Sequence, residues 1–321
     1  MPEVLTIGEA MAVFVPTGRG KLRYQENYRM RMAGAESNTA IGLKRLGHTA
    51  EWISALGQDE FGEFILRTLH GEQVECGRVK RDRARKTGIM FKEPGNSDTR
   101  VFYYRRCSAA SALSVGDFQN MKAGENGLWS GVRILHMTGI TPVLSQECRE
   151  LTEWLFEEAE KRNILISFDP KIRKKLWGEK DYTSFIQSLT LRAQIVLTGA
   201  DEGKILWGTA QPEQLLDILF EKGNARFAAV KDGSRGAWVS DGKEKMLIAP
   251  MPCRPIEPVG AGDGFNAGFL CGLLENKEIR ECGRIAAVCG ALATETEGDF
   301  EGYPDRKEVE GILNGDQTVY R

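Results

Sequence analysis

"PVGAGDGFNAGF", residues 258 to 269, sets three glycines around Ala261 and Asp263 and then runs into apolar residues. Gly260 and Gly262 tolerate positive φ and let a ligand approach the backbone closely. Phe265, Phe269 and Leu273 recur every four residues, so the pattern predicts a helix beginning near Asp263. A helix start offers unpaired N–H groups and partial positive charge, which suits an anion such as a phosphoryl group. That field also favours a carboxylate at Asp263, placed to take a proton from a hydroxyl. A proton acceptor beside an anion hole is what phosphoryl transfer needs. The plainer alternative is a helix cap behind a glycine turn, and this segment alone leaves both open.

Two other nucleotide motifs fail. A dinucleotide fingerprint, G-x-G-x-x-G, needs glycine where Phe265 stands, and it belongs in the first strand–helix unit, where "TIGEAM" has no such turn. A G-x-x-x-x-G-K-[ST] phosphate loop occurs nowhere in the chain.

Around this stretch, short apolar runs alternate with helical patterns. "VLTIG", "AEWISALG", "RILHMTG", "ILISFD", "AQIVLTG" and "FAAVKDG" read as strands. "SNTAIGLKRLG", "DEFGEFILRTLHG" and "ECRELTEWLFEEAEKR" read as amphipathic helices. In the second of these, Phe61, Phe64, Ile65, Thr68 and Leu69 share a face. The alternation predicts an α/β domain with a mostly parallel central sheet flanked by helices. Two excursions break the rhythm. Residues 11–32 carry "AVFVP" and "NYRMRMA"; residues 84–108 carry "KTGIMFK" and "TRVFYYRR" around the turn-rich "EPGNSD". They predict one small projecting β-sheet, with a pair of unrelated surface hairpins as the alternative. Residues 1–10, 33–83 and 109–321 then form the α/β domain.

The bulk numbers narrow the function. With 321 residues the chain can bury a large core. A formal net charge of −2 argues against nucleic acid or an anionic membrane as partner. No apolar run approaches the roughly 20 residues of a membrane span. "MPEVLTIGEA" lacks the basic and apolar segments of a secretory signal. Seven cysteines with no C-x-x-C pair read as reduced thiols in a cytoplasmic chain, with no zinc site. Of three histidines, His136 in "RILHMTG" reads as a buried strand residue rather than a base.

"GAGD" together with "MAGAESNTAIGLKRLG" at 32–47 resembles the ribokinase-like (PfkB) sugar kinases, from Val4 to Pro304. The resemblance implies ATP-dependent phosphorylation of a sugar's primary alcohol, with Mg2+. Asp263 would be the base and the amides of Gly260, Ala261 and Gly262 the anion hole. The excursions would form a lid over the sugar, in many relatives also the contact of a homo-oligomer. Within the family, "AGAESN", "VFYYRRCSAASALS", "HMTGITPVLS" and "FDPKIRKKLW" are most similar to 2-keto-3-deoxygluconate kinases. That likeness implies substrate contacts from Gly34, Asn38, Tyr103, Arg105, Ile140, Arg173 and Asp299. ATP would sit near Lys171, Lys231, Gly233 and Gly236 and against Ala261 and Gly262. Glu202 would reach magnesium through water, unless it is only a helix-start carboxylate.

The residues add modest support of their own. Strand period places Val101, Tyr103 and Arg105 of "RVFYYRR" on one face, and an arginine fork suits a carboxylate. Arg173 follows a strand's carboxyl end, where open α/β sheets bind ligands, while Lys174 and Lys175 read as solvated surface. Neutral-sugar relatives carry an aspartate after the first strand, where this chain has Ala12 and Val13.

Departures are also visible. Lys171 replaces an asparagine near the phosphates, Met90 a tyrosine, and Ala287 an asparagine near the nucleotide. Gly264 and Asn266 replace alanines. Glu257 stands where the family usually has Asp before "GAGD", which puts the family's monovalent-cation site in doubt. A kinase for a fructose- or ribose-like sugar and a non-catalytic ligand sensor therefore stay open.

Overall fold

The computed structural model describes residues 1–95, 99–119, 121 and 127–315, so part of the "EPGNSD" turn lies outside the described residues. Six strands run parallel in one sheet: β1 (Val4–Ile7), β4 (Ala50–Ile53), β9 (Ile134–Thr138), β10 (Leu165–Asp169), β11 (Ile195–Gly199) and β12 (Phe227–Lys231). The antiparallel β13 (Ala237–Ser240) and β14 (Lys245–Ile248) complete the order β14-β13-β12-β11-β10-β9-β1-β4. Most of the parallel strand residues are buried, which is why they read as continuous apolar runs rather than alternating ones. Helices cover both faces. One core cluster gathers around Trp52, Phe269 and Leu270; the other around Phe118, Phe156 and Phe168.

The two excursions pair with each other. β2 (Met11–Pro16), β3 (Tyr28–Ala33), β7 (Ile89–Pro94) and β8 (Thr99–Tyr104) form a four-stranded sheet in the order β3-β2-β7-β8. Its β2–β7 pairing is parallel and the other two are antiparallel. "AEWISALG", expected as one strand, is split. β5 (Ala55–Gly57) leaves the main sheet to pair with β6 (Lys80–Asp82), an element the sequence pattern does not mark. Both pieces are three residues long, too short for a periodicity to register.

The helix of the opening stretch spans Ala261–Leu274, with Gly260 as its N-cap. It therefore starts two residues earlier than the apolar spacing predicts, because Ala261 and Gly262 carry no apolar signal of their own. Its Gly264, Gly268 and Gly272 lie against the helix Ile279–Ala293, where any Cβ would press on Cys289, Ala286 and Cys282. The close approach accounts for a glycine at 264 in place of alanine. No described helix is long and apolar enough to cross a membrane.

Candidate active site

The expected site residues converge at the carboxyl ends of the parallel strands. Ile140 follows β9, Lys171 and Arg173 follow β10, and Lys231 ends β12. Open α/β sheets bind ligands at this edge because the strand ends and helix starts leave their backbone groups free there. Two cavities lie side by side. One, about 460 Å³, is roofed by Met90, Val101 and Tyr103 of the small sheet. It is lined by all seven expected substrate residues, Gly34, Asn38, Tyr103, Arg105, Ile140, Arg173 and Asp299, and by Glu202, Gly260 and Asp263. The other, about 610 Å³ and mostly apolar, is lined by Gly233, Gly236, Ala261, Phe265 and Ala287. Lys231, Pro258 and Gly262 border both. Lys171 lines the first cavity rather than the second.

Asp263 occupies the third position of its helix and is buried to 3% exposure. One carboxylate oxygen accepts from Asn38 Nδ2 at 3.0 Å; the other pairs with the Lys171 ammonium. Lys171 has φ +40°, a left-handed conformation that an asparagine adopts more readily than a lysine. Its backbone N–H bonds Asp169 Oδ1 at 3.2 Å, an Asx turn that holds this backbone in place. Burial works against the Lys171 charge, but Asp263 and Asp169 outweigh it and raise the ammonium's pKa.

Asp169, in the quoted "FDPKIR" but given no role by the sequence reading, anchors the centre. Its Oδ2 accepts from Lys231 Nζ at 3.1 Å and from Asn266 Nδ2 at 2.7 Å. Burial favours the neutral acid, yet the charges of Lys231 and Lys171 hold the carboxyl well below its ordinary range. Asn266 also accepts from Lys231 at 3.1 Å, so the amide at this position orients both charges.

Three of the expected site residues are already engaged by protein neighbours. Arg105 is 8% exposed, and its guanidinium is bound to Glu9, with Nε to Oε2 at 2.6 Å. Glu9 Oε1 accepts from Ser108 Oγ at 2.5 Å. The fork expected for a substrate carboxylate is already engaged, since a buried guanidinium without an anion would be strongly destabilising. Asp299 Oδ1 likewise accepts from Lys92 Nζ at 3.0 Å. Glu202 accepts backbone N–H bonds from Ile172 at 3.0 Å and Gly199 at 2.8 Å. These bonds tie it to the start of its helix, and burial is the main influence raising its pKa.

Glu9, Glu36, Lys92 and Asn266 were not read as site residues. Glu36, inside "AGAESN", is buried and accepts from Thr138 Oγ1 at 2.7 Å and Thr141 Oγ1 at 3.1 Å. Its burial pushes the carboxyl up. The available signals were weak: a polar residue in an otherwise apolar helix face, and a lysine two positions from Met90 on the same strand face. His136, by contrast, is buried as expected, with Nδ1 2.9 Å from Ser167 Oγ and its pKa lowered by burial to about 4.

The comparisons with known proteins agree with this geometry. The pfkB family carbohydrate kinase model matches residues 1–306. The 2-dehydro-3-deoxygluconokinase of Bacillus subtilis (strain 168) is 34% identical over 99% of this chain and 98% of its own. That of Thermoproteus tenax is 29% identical over 98% of this chain and 94% of its own. Among solved structures, a PfkB protein from Polaromonas sp. JS666 superposes with a TM-score of 0.86 at 34% identity, covering 97% of this chain and 99% of that one. With a buried aspartate of a glycine-capped helix lining the polar cavity, and a family match over residues 1–306, the chain belongs to the pfkB family of carbohydrate kinases, enzymes that transfer phosphate to an alcohol.

Proposed function

We propose that this enzyme phosphorylates the primary hydroxyl of 2-keto-3-deoxygluconate, using ATP and Mg2+. The observation that carries the reading is the Asp263 carboxylate, fixed by Asn38 and Lys171 beside Gly262, where the two cavities meet. The apolar cavity suits an adenine ring and the polar one a six-carbon acid. The relatives named for this substrate support the choice.

In this reading the sugar hydroxyl donates its proton to Asp263 as its oxygen attacks the γ-phosphorus. The N–H groups of residues 260–262 and the ammonium groups of Lys171 and Lys231 face the charge spread over the transferring oxygens. Asn38 Oδ1, buried with no hydrogen-bond partner among the described residues, is an acceptor for a substrate hydroxyl. Arg173 supplies a guanidinium for the substrate carboxylate, a role Arg105 shares only through the edge that Glu9 leaves free. Asp169 and Glu202 are hard oxygen donors fit to hold the water shell of magnesium, because each keeps lone pairs beyond its protein bonds. Bound magnesium would neutralise the phosphate oxygens. Residues 11–32 and 84–108 act as the lid, excluding water from the reacting phosphate. The seven free thiols suit a reducing, cytoplasmic setting.

The pairing of Arg105 with Glu9 favours a second reading, a neutral hexose, because it removes positive charge from the cavity. ATP consumption measured over a panel of keto-deoxy sugar acids, fructose and ribose separates the two. The highest kcat/KM should fall on 2-keto-3-deoxygluconate, and Asp263→Asn should lower kcat by roughly 10²–10⁴, the typical contribution of a general base. A preference for fructose would overturn the substrate, and near-normal turnover by the variant would overturn the base. No turnover on any sugar, with ligand still stabilising the fold, would point to a sensor.

A further inference from the structure

We infer that the Lys92 ammonium is a built-in replacement for the free monovalent cation of related kinases, so that this enzyme assembles its anion hole without one. Lys92 projects from the inner face of β7 and is 3% exposed. Its Nζ lies 2.7 Å from Glu257 Oε1 and 3.0 Å from Asp299 Oδ1. Glu257 is the residue at which the family resemblance places cation binding. Its second oxygen accepts the Gly298 N–H at 3.0 Å.

A free cation does not fit these residues. The carboxylate oxygens that would ligate it already face an ammonium at contact distance, and a second positive charge a few ångströms away would be strongly repelled. The pair of acids, conversely, needs a cation: two carboxylates sharing a buried corner cannot both ionise without one. Burial opposes the Lys92 charge, but Asp299 and Glu257 outweigh it and raise its pKa. Burial likewise opposes ionisation of Glu257, yet Lys92 and the Gly298 amide bring that carboxyl below its usual range.

The corner is mechanically joined to the anion hole. The Asp299 carbonyl packs directly on Gly260, whose own carbonyl accepts from Tyr303 Oη at 2.8 Å. Glu257 lies three residues before Gly260, and its backbone N–H bonds Thr294 O at 3.1 Å. Neutralising Glu257 and Asp299 therefore fixes the strip that presents the amides of residues 260–262. Lys92 is a positioning residue, acting through these two acids. The cation is delivered by the lid strand rather than drawn from solution.

This inference rests on the kinase reading, and its test keeps the two apart. Initial rates with Mg-ATP and sugar acid are compared in choline chloride and potassium chloride at equal ionic strength. The wild-type kcat should agree within about twofold. Lys92→Ala should lose about tenfold or more in choline and recover a large part of it with potassium or methylammonium. Stimulation of the wild type by about fivefold or more, an unaffected Lys92→Ala, or a loss that no cation restores would each overturn the inference. Should that variant fail to fold, Lys92→Met and the wild-type comparison decide. Should the wild type turn over no sugar, the kinase reading fails, and the inference is then read from the rise in Tm on adding Mg-ATP. That rise should be the same in the two salts, and a larger one in potassium would overturn it.

Discussion

At the residue scale, the chemistry depends on which charges are left partnerless and which are not. Asp169, Asp263, Lys171 and Lys231 form a balanced set, each lysine paired with one of the two buried carboxylates. Of these, Asp263, Lys171 and Lys231 were legible as site residues because each lies in a motif with a stated role. Asn266 was read only as a substitution, because nothing in the sequence tells that its amide faces Asp169 across 97 residues of chain. His136 gives a pH prediction. Its pKa falls from an ordinary value near 6.5 to about 4, so the folded protein resists protonation that the unfolded chain accepts. Stability should therefore decline as pH falls through the window from about 6.5 to about 4, by on the order of 3 kcal/mol from this one group. Above that window the imidazole is neutral in both states and contributes no slope. In His136→Gln the fall in urea midpoint over this range should be visibly shallower. An identical slope in the two proteins would assign the pH dependence elsewhere.

At the element scale, the glycine-capped helix unites fold and function. Gly260 has φ +83°, and a Cβ there would run into the carbonyl of Asp299. Gly262, by contrast, has only Lys231 Nζ near such an atom, at 3.8 Å. Gly260→Ala should thus destabilise the protein by about 3 kcal/mol or more, combining left-handed strain with a backbone collision, and should cut turnover with it. Gly262→Ala should fold with a Tm close to wild type, while weakening nucleotide binding. Thermal unfolding of the two variants checks this, and equal losses would show that the first glycine is not specially constrained. The lid strands show the same mixture of legible and hidden. Period two correctly placed Val101, Tyr103 and Arg105 at one cavity, but Glu9 on another element decided what the arginine does there.

At the scale of the whole molecule, the small sheet has two unlike faces. The inner one roofs the polar cavity; the outer one carries Phe14, Tyr28, Phe91 and Tyr104 in ring contact, with Phe102 42% and Tyr104 65% exposed. Such an aromatic surface suits burial against a second copy, in keeping with the homo-oligomer that the family resemblance implies. Light scattering should find a dimer, and Phe102→Glu with Tyr104→Glu should give a folded monomer. A wild-type monomer at micromolar concentration would refute the contact. The sequence by itself determined the alternation of strands and helices, the glycine-capped helix start and the two excursions, because hydrophobic period and glycine placement are local properties. Only the tertiary structure decided the partners. Arg105 met Glu9 and Lys92 met Glu257 and Asp299, because a buried charge takes whichever counter-charge folding brings near, and that depends on distant segments. Asp263 was legible as an acid at a helix start; that it lines the polar cavity, held by Asn38 and Lys171, required the fold.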